Sequence, residues 1–160
     1  MKKNLKLTVL FFALLAIATG SAASSASAFG EIMQPYEKIR LSLMNDSVEG
    51  VGERAEAIRK VAESSASDAS IGEEVRPLLA QISGLAKELA TAQDIEASRQ
   101  AFYEVSKILV QYRSKLPGDD VPSVMYCPMA RRSWLQLTDE VGNPYYGQSM
   151  ASCGNVVGEK

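Results

Sequence analysis

The segment Asp94-Ile95-Glu96-Ala97-Ser98-Arg99-Gln100-Ala101-Phe102-Tyr103-Glu104-Val105-Ser106-Lys107-Ile108-Leu109-Val110-Gln111-Tyr112-Arg113-Ser114-Lys115-Leu116 decides the fold class. Within it Ile95, Phe102, Val105, Leu109, Tyr112 and Leu116 recur at intervals of seven, three, four, three and four. That spacing lays them along one stripe of a helix of about 3.6 residues per turn. Asp94 is placed to cap the first turn, Pro117-Gly118 stops the helix, and Asp119-Asp120 keeps the next connection in water. Such a helix needs neighbours to cover its stripe.

Three further segments upstream supply them. Ile32, Tyr36, Ile39 and Leu43 repeat at four, three and four, with Pro35 expected in an opening turn. Val48, Val51, Ala55, Ile58, Val61 and Ala62 share one side of a second helix, and Asp46 followed by Glu49 predicts an Asp variant of the capping box at its start. Gly50 and Gly52 weaken its first turns by about 1 kcal/mol each relative to alanine. Ser64 to Gly72 has no periodic stripe and is a connection. Val75, Leu78, Leu79, Ile82, Leu85, Ala86 and Leu89 define a third helix, with Pro77 in its first turn, where a missing N–H costs nothing. Helices of similar length joined by short connections predict an all-α, antiparallel up-and-down four-helix bundle over residues 29–116.

The texture changes after the bundle. From Val121 onward there are prolines at 122, 128 and 144, glycines at 142, 147, 154 and 158, and aromatics between them. An irregular, loop-rich tail over 117–160, with short strands at most, is expected to pack on the bundle and bury Trp134, Tyr145 and Tyr146. Bundle and tail together form one structural domain, 29–160.

Residues 1–28 have the layout of a secretory signal peptide: basic Lys2, Lys3 and Lys6, an apolar run from Leu7 to Ala18, and the small-residue site Ala26-Ser27-Ala28. The mature chain then starts at Phe29, in the periplasm or outside the cell. The apolar run is short of the roughly 20 residues of a membrane span, so no stable membrane insertion is expected after cleavage. Without the three leader lysines, 14 basic side chains face 19 acidic ones, a formal charge of −5 that argues against nucleic-acid or anionic-membrane partners. The chain contains no histidine, which excludes a His-based triad, a His general base and any imidazole ligand. Glu53, Glu56, Glu73 and Glu74 have the spacing of solvated surface, and no phosphate loop or serine nucleophile motif is present, so the protein is not expected to be an enzyme.

What stands out is sulfur. Both cysteines, three methionines and the only tryptophan fall between Met125 and Cys153. Cys127-Pro128-Met129 sets two sulfurs two residues apart in an extended strip, and Met150 and Cys153 are three apart. If the strips meet, Cys127, Met129, Met150 and Cys153 offer two thiolates and two thioethers. Such a soft set suits monovalent copper or silver and leaves zinc two preferred ligands short. The competing reading is a Cys127–Cys153 disulfide, worth about 3 to 4 kcal/mol for a loop of this length, with Met129 and Met150 as core filler. Trp134 either caps a metal through its ring face or anchors the tail in the core. Arg131-Arg132 is a solvated pair, an attraction for an acidic partner surface, or a support for a thiolate, while Tyr145 and Tyr146 pack a turn.

The strings Tyr126-Cys127-Pro128-Met129-Ala130, Ser133-Trp134-Leu135, Asn143-Pro144-Tyr145-Tyr146-Gly147, Met150 and Cys153-Gly154-Asn155-Val156-Val157 closely resemble a bacterial domain family of unknown function. That family occurs alone in exported proteins and fused to periplasmic adaptor subunits of copper and silver efflux systems. Asp94-Ile95-Glu96 with Arg99, Phe102 and Ser106 is similar to the last-helix pattern of the same family. The resemblance implies a heavy-metal context, a periplasmic efflux adaptor as partner, and Cys127, Met129, Met150 and Cys153 as the ligand positions. Where relatives carry a histidine just upstream, this chain has Ser123-Val124-Met125, and Met125 stands as its replacement. The expectation is therefore an exported protein that buffers monovalent copper or silver or delivers it to an efflux adaptor; the alternative is a disulfide-stapled interaction module without a metal role.

Overall fold

A computed structural model describes the backbone of residues 4–117 and 121–157 and the side chains of residues 20–117 and 121–157. Lys2, Lys3, the side chains of Lys6 and of the apolar run 7–18, and Gly118-Asp119-Asp120 lie outside the described residues. Four helices pack against one another: α1 Asn4–Met44, α2 Val51–Ala66, α3 Arg76–Ala90 and α4 Ile95–Arg113. Each packs on its chain neighbour, α2 with α3 most extensively, and α1 also touches α4. Among the described residues no helix is long and apolar enough to cross a membrane.

The stripes read from the sequence form the core. Ile32, Tyr36, Ile39, Leu43, Ala55, Ile58, Ala62, Leu79, Ile82, Ala86, Phe102, Val105, Leu109 and Tyr112 are all buried. Asp94 caps α4 through its Oδ1, which accepts the Ala97 N–H at 2.8 Å, and Pro77 sits in the first turn of α3. Two aromatic pairs tie α1 to α4, Tyr36 stacked on Phe102 at 4.7 Å and Phe29 edge-on to Tyr112 at 5.0 Å.

Helix ends differ from the sequence reading: α1 runs from Asn4 through the expected bundle start at residue 29, and α4 ends at Arg113, short of Leu116. Pro35 lies inside α1 and not in an opening turn, so the helix forgoes the bond its missing N–H would give to the Glu31 carbonyl. Buried Ile32, Met33, Tyr36 and Ile39 hold α1 across that gap. The second helix begins at Val51, because Gly50 takes a left-handed φ of 68°, and Val48 is left 44% exposed in the turn before it. Asp46, itself at φ 56°, forms no capping box there; its carboxylate is used elsewhere. Gly52 has a packing reason: a Cβ at that position would stand 3.0 Å from the Ala90 carbonyl oxygen, so its absence lets α2 and α3 approach closely.

The tail is more regular than expected. β1 Ser123–Cys127, β2 Arg132–Gln136 and β3 Asn155–Val156 form an antiparallel sheet in the order β2-β1-β3. Alternation along β1 sends Met125 and Cys127 inward, with Met125 opposite Trp134 on β2 and Tyr126 opposite Asn155 on β3. β2 lies on α4, and its Trp134 and Leu135 join the same hydrophobic cluster as the helices. Burying side chains of this size stabilises the docked sheet by roughly 1.5 to 3 kcal/mol each. Tyr145 is buried with them, whereas Tyr146 is 37% exposed, contrary to the expectation for that residue.

Candidate functional site

The loop that follows β2 is held by a few polar side chains. Asn143 is fully buried, accepts the Tyr145 N–H on its Oδ1 at 2.7 Å and donates through Nδ2 to the Cys153 carbonyl at 2.9 Å. Its backbone N–H reaches the Ala151 carbonyl at 2.8 Å, so one residue sets both ends of the segment 143–153. From the bundle side, Arg99 on α4 donates to the Pro144 and Leu43 carbonyls and to Asp46, each within 2.6 to 2.9 Å. Asp46 in turn accepts the Gln148 N–H at 3.0 Å. The Arg99 guanidinium, followed by that N–H, holds the Asp46 carboxyl below its ordinary range. A 3-10 turn, Gly147–Met150, is thereby pinned to the α1–α2 connection.

This scaffold brings two of the four candidate sulfurs together. Cys127 and Cys153 form a disulfide across a sequence separation of 26, with Cα atoms 5.6 Å apart. Cys127 is fully buried and Cys153 half-buried. The Ala130 N–H points at Cys127 Sγ at 3.3 Å, and the Cys153 N–H donates to the Met150 carbonyl at 3.0 Å, which sets Met150 one turn before the cystine. Met129 occupies the β1–β2 turn and is 67% exposed, and its carbonyl accepts the Tyr146 hydroxyl at 3.3 Å. Met150 is half-buried. The two sulfur strips are thus tied by the disulfide and by the Tyr146–Met129 bond, beside the β1–β3 pairing.

Two residues weighed as accessories belong to the core. Met125 and Trp134 are both fully buried as a cross-strand pair. Trp134 Nε1–H donates to Gln136 Oε1 at 3.1 Å, and the indole meets Tyr145 edge-on at 5.8 Å, which is the anchoring role. Arg132 lies over two aromatic rings in this region: its guanidinium lies 4.9 Å from the Tyr103 ring centre and 5.4 Å from that of Tyr145, and it donates to Gln100. Arg132 is therefore packed, while Arg131 sits exposed in the turn at φ 53°.

In the disulfide form neither cysteine is a thiolate, and the donors left on the surface are the thioethers of Met129 and Met150. Among the described residues no three Cys, Asp or Glu side chains cluster as a ligand set. A disulfide sulfur is a poorer donor than a thiolate. Gly154 has a packing reason that the sequence did not show: a Cβ there would stand 2.6 Å from Trp134 Cη2, so the Cys-Gly step lets the strand cross the indole. Asn143, Asp46 and Arg99 were missed as positioning residues. The signal for Arg99 was an arginine four residues after Ile95 and three before Phe102, on the line of the apolar stripe of α4. No protein-family model, curated protein or solved structure matches the chain.

Proposed function

We propose that this is an exported protein that takes up monovalent copper or silver at its sulfur corner when Cys127 and Cys153 are reduced, and buffers it or passes it to an efflux adaptor. The single observation that carries the reading is the meeting of Cys127 and Cys153 from 26 residues apart, on strips that also bear Met129 and Met150. An oxidising compartment is where such a disulfide persists, in keeping with the leader-like N-terminus. A dithiol reductant opens the bond by exchange, taking the disulfide to two thiols as it becomes a disulfide itself. The two thiols release their protons to water as the cation binds the thiolates, and Met129 and Met150 complete a set that exchanges ligands easily. The protein acts by ligand exchange and not by catalysis. Its helices, joined by short connections, follow an up-and-down path.

The test is a titration of the mature protein with silver or with cuprous ion held by a competing chelator, before and after reduction with a phosphine. About one equivalent bound by the reduced protein alone is the expected result. No binding by the reduced protein would end the metal reading.

A second reading is a stapled interaction module without metal, favoured by the burial of Met125 and Trp134 and by the pairing of both cysteines. Thiol counting on protein taken directly from cells grown with and without added copper separates the two. A disulfide that persists in every condition, with no metal bound, supports the staple.

A further inference from the structure

The part of the molecule just before the expected cleavage site is built into the core. Ser25, Ala28 and Phe29 are 4%, 6% and 4% exposed. The Ser25 carbonyl accepts the Tyr112 hydroxyl at 2.7 Å, and Ser25 Oγ accepts the Gly72 N–H at 3.2 Å. One residue of α1 thus satisfies a buried donor on α4 and another in the α2–α3 connection. Burial raises the Tyr112 phenol above its ordinary pKa, so it stays protonated and needs that acceptor.

A cut after Ala28 removes both acceptors and leaves two buried donors unpaired, an expensive outcome. It also makes buried Phe29, packed on the Tyr112 ring, carry the new ammonium group. The chain offers another small-residue site upstream, Ser21-Ala22-Ala23, beyond the apolar run that ends at Ala18. Ala23 is exposed and Ser24 half-buried, so an ammonium on Ser24 reaches water. Ser24 is also a residue type suited to begin a helix, and the exposed Ala26 and Ser27 that follow leave the first turn solvated.

We infer that the leader is removed at the Ala23–Ser24 bond, so that Ser24 to Ala28 stay in the mature protein as the first turn of α1 and lock it to α4 and to the α2–α3 connection. The reaction is hydrolysis by a leader peptidase: the amide bond breaks, water gives its hydroxyl to the Ala23 carbonyl carbon and a proton to the Ser24 nitrogen. The inference rests on the secretory reading above.

The full chain is expressed in a bacterium with a general export pathway, recovered from the periplasm, and examined by intact mass and N-terminal sequencing. A chain starting at Ser24 is expected. Any other start overturns the assigned bond, and a start at Phe29 overturns retention of the turn while leaving export standing. A chain that keeps Met1 in the cytoplasm defeats the secretory reading itself. In a second arm, chains made without a leader from Ser24 and from Phe29 are compared by thermal unfolding. The shorter one is expected to melt lower by about 5 °C or more, and equal melting temperatures would overturn the role given to the turn.

Discussion

The hydroxyl of Tyr36, in the C-terminal part of α1, accepts the backbone N–H of Leu135 on β2 at 3.1 Å. The same hydroxyl donates to Ser106 Oγ at 2.8 Å, and Ser106 donates to the Phe102 carbonyl at 2.8 Å. All of this is buried, and the β2 edge that faces the helices is closed by a side chain and not by another strand. Desolvation raises the Tyr36 phenol above its ordinary pKa, so it remains a donor at any physiological pH. Tyr36→Phe keeps the ring and its stacking on Phe102 but leaves the Leu135 N–H without a partner. A loss of about 1 to 3 kcal/mol is expected, measured by urea unfolding; a change within error would show that the sheet is docked by apolar contact alone.

The cystine joins two strips that the rest of the chain separates widely. Cys153→Ser is expected to cost about 3 to 4 kcal/mol of unfolding free energy, the order of the loop-closure contribution. The check is denaturant unfolding of the variant beside the oxidised wild type. Equal stabilities would mean that Asn143 and Arg99 hold the tail unaided.

Met129 and Met125 make opposite predictions. Met129 is 67% exposed, so Met129→Leu should leave the melting temperature unchanged and weaken silver binding by the reduced protein. Met125 is fully buried, so Met125→Leu should lower stability by less than about 1.5 kcal/mol and leave silver affinity as it was. The reverse pattern would move the metal site to the interior face of the sheet.

Gly154 passes over the indole of Trp134. Gly154→Ala places a methyl group where Trp134 Cη2 lies 2.6 Å away, and the ring is fixed by its bond to Gln136. About 1 to 3 kcal/mol of destabilisation is expected, with a red shift in tryptophan emission as the ring is displaced. Unchanged emission would show that the strand yields and the ring does not.

Asp46 gives the tail an acid sensitivity. Its carboxyl titrates below the ordinary value in the folded protein, through Arg99 first and the Gln148 N–H second. A folded pKa below the unfolded one contributes stability above the unfolded value, near pH 4, and that contribution fades as pH falls through the folded pKa. Asp46→Asn should flatten the stability profile below pH 4. The comparison is thermal unfolding of both proteins between pH 2 and 6; parallel profiles would contradict it.

Much of the bundle was legible because helix periodicity is a local property. Phe102, Val105, Leu109 and Tyr112 had to share a face whatever they packed against, and Asp94 had to cap because its side chain reaches only its own first turn. The turn before α2 was misread: Asp46 has the spacing of a cap, but the competing Arg99 and Gln148 come from 53 and 102 residues away. Strands of five residues and fewer in the tail left too short a pattern to distinguish from loop. Pro128 and Gly154 were visible; their geometric reasons, a turn joining β1 to β2 and a crossing over Trp134, were not.

From its sequence alone the chain determined four helices, their inward faces and a sulfur-rich tail, since side chains three and four apart meet in any helix. Only the tertiary structure decided that Cys127 pairs with Cys153, that Met125 and Trp134 are core while Met129 is surface, and that Ser25 is already part of the lock. Those outcomes depend on which distant segments touch, and contact between distant segments is settled by the packing of the whole core.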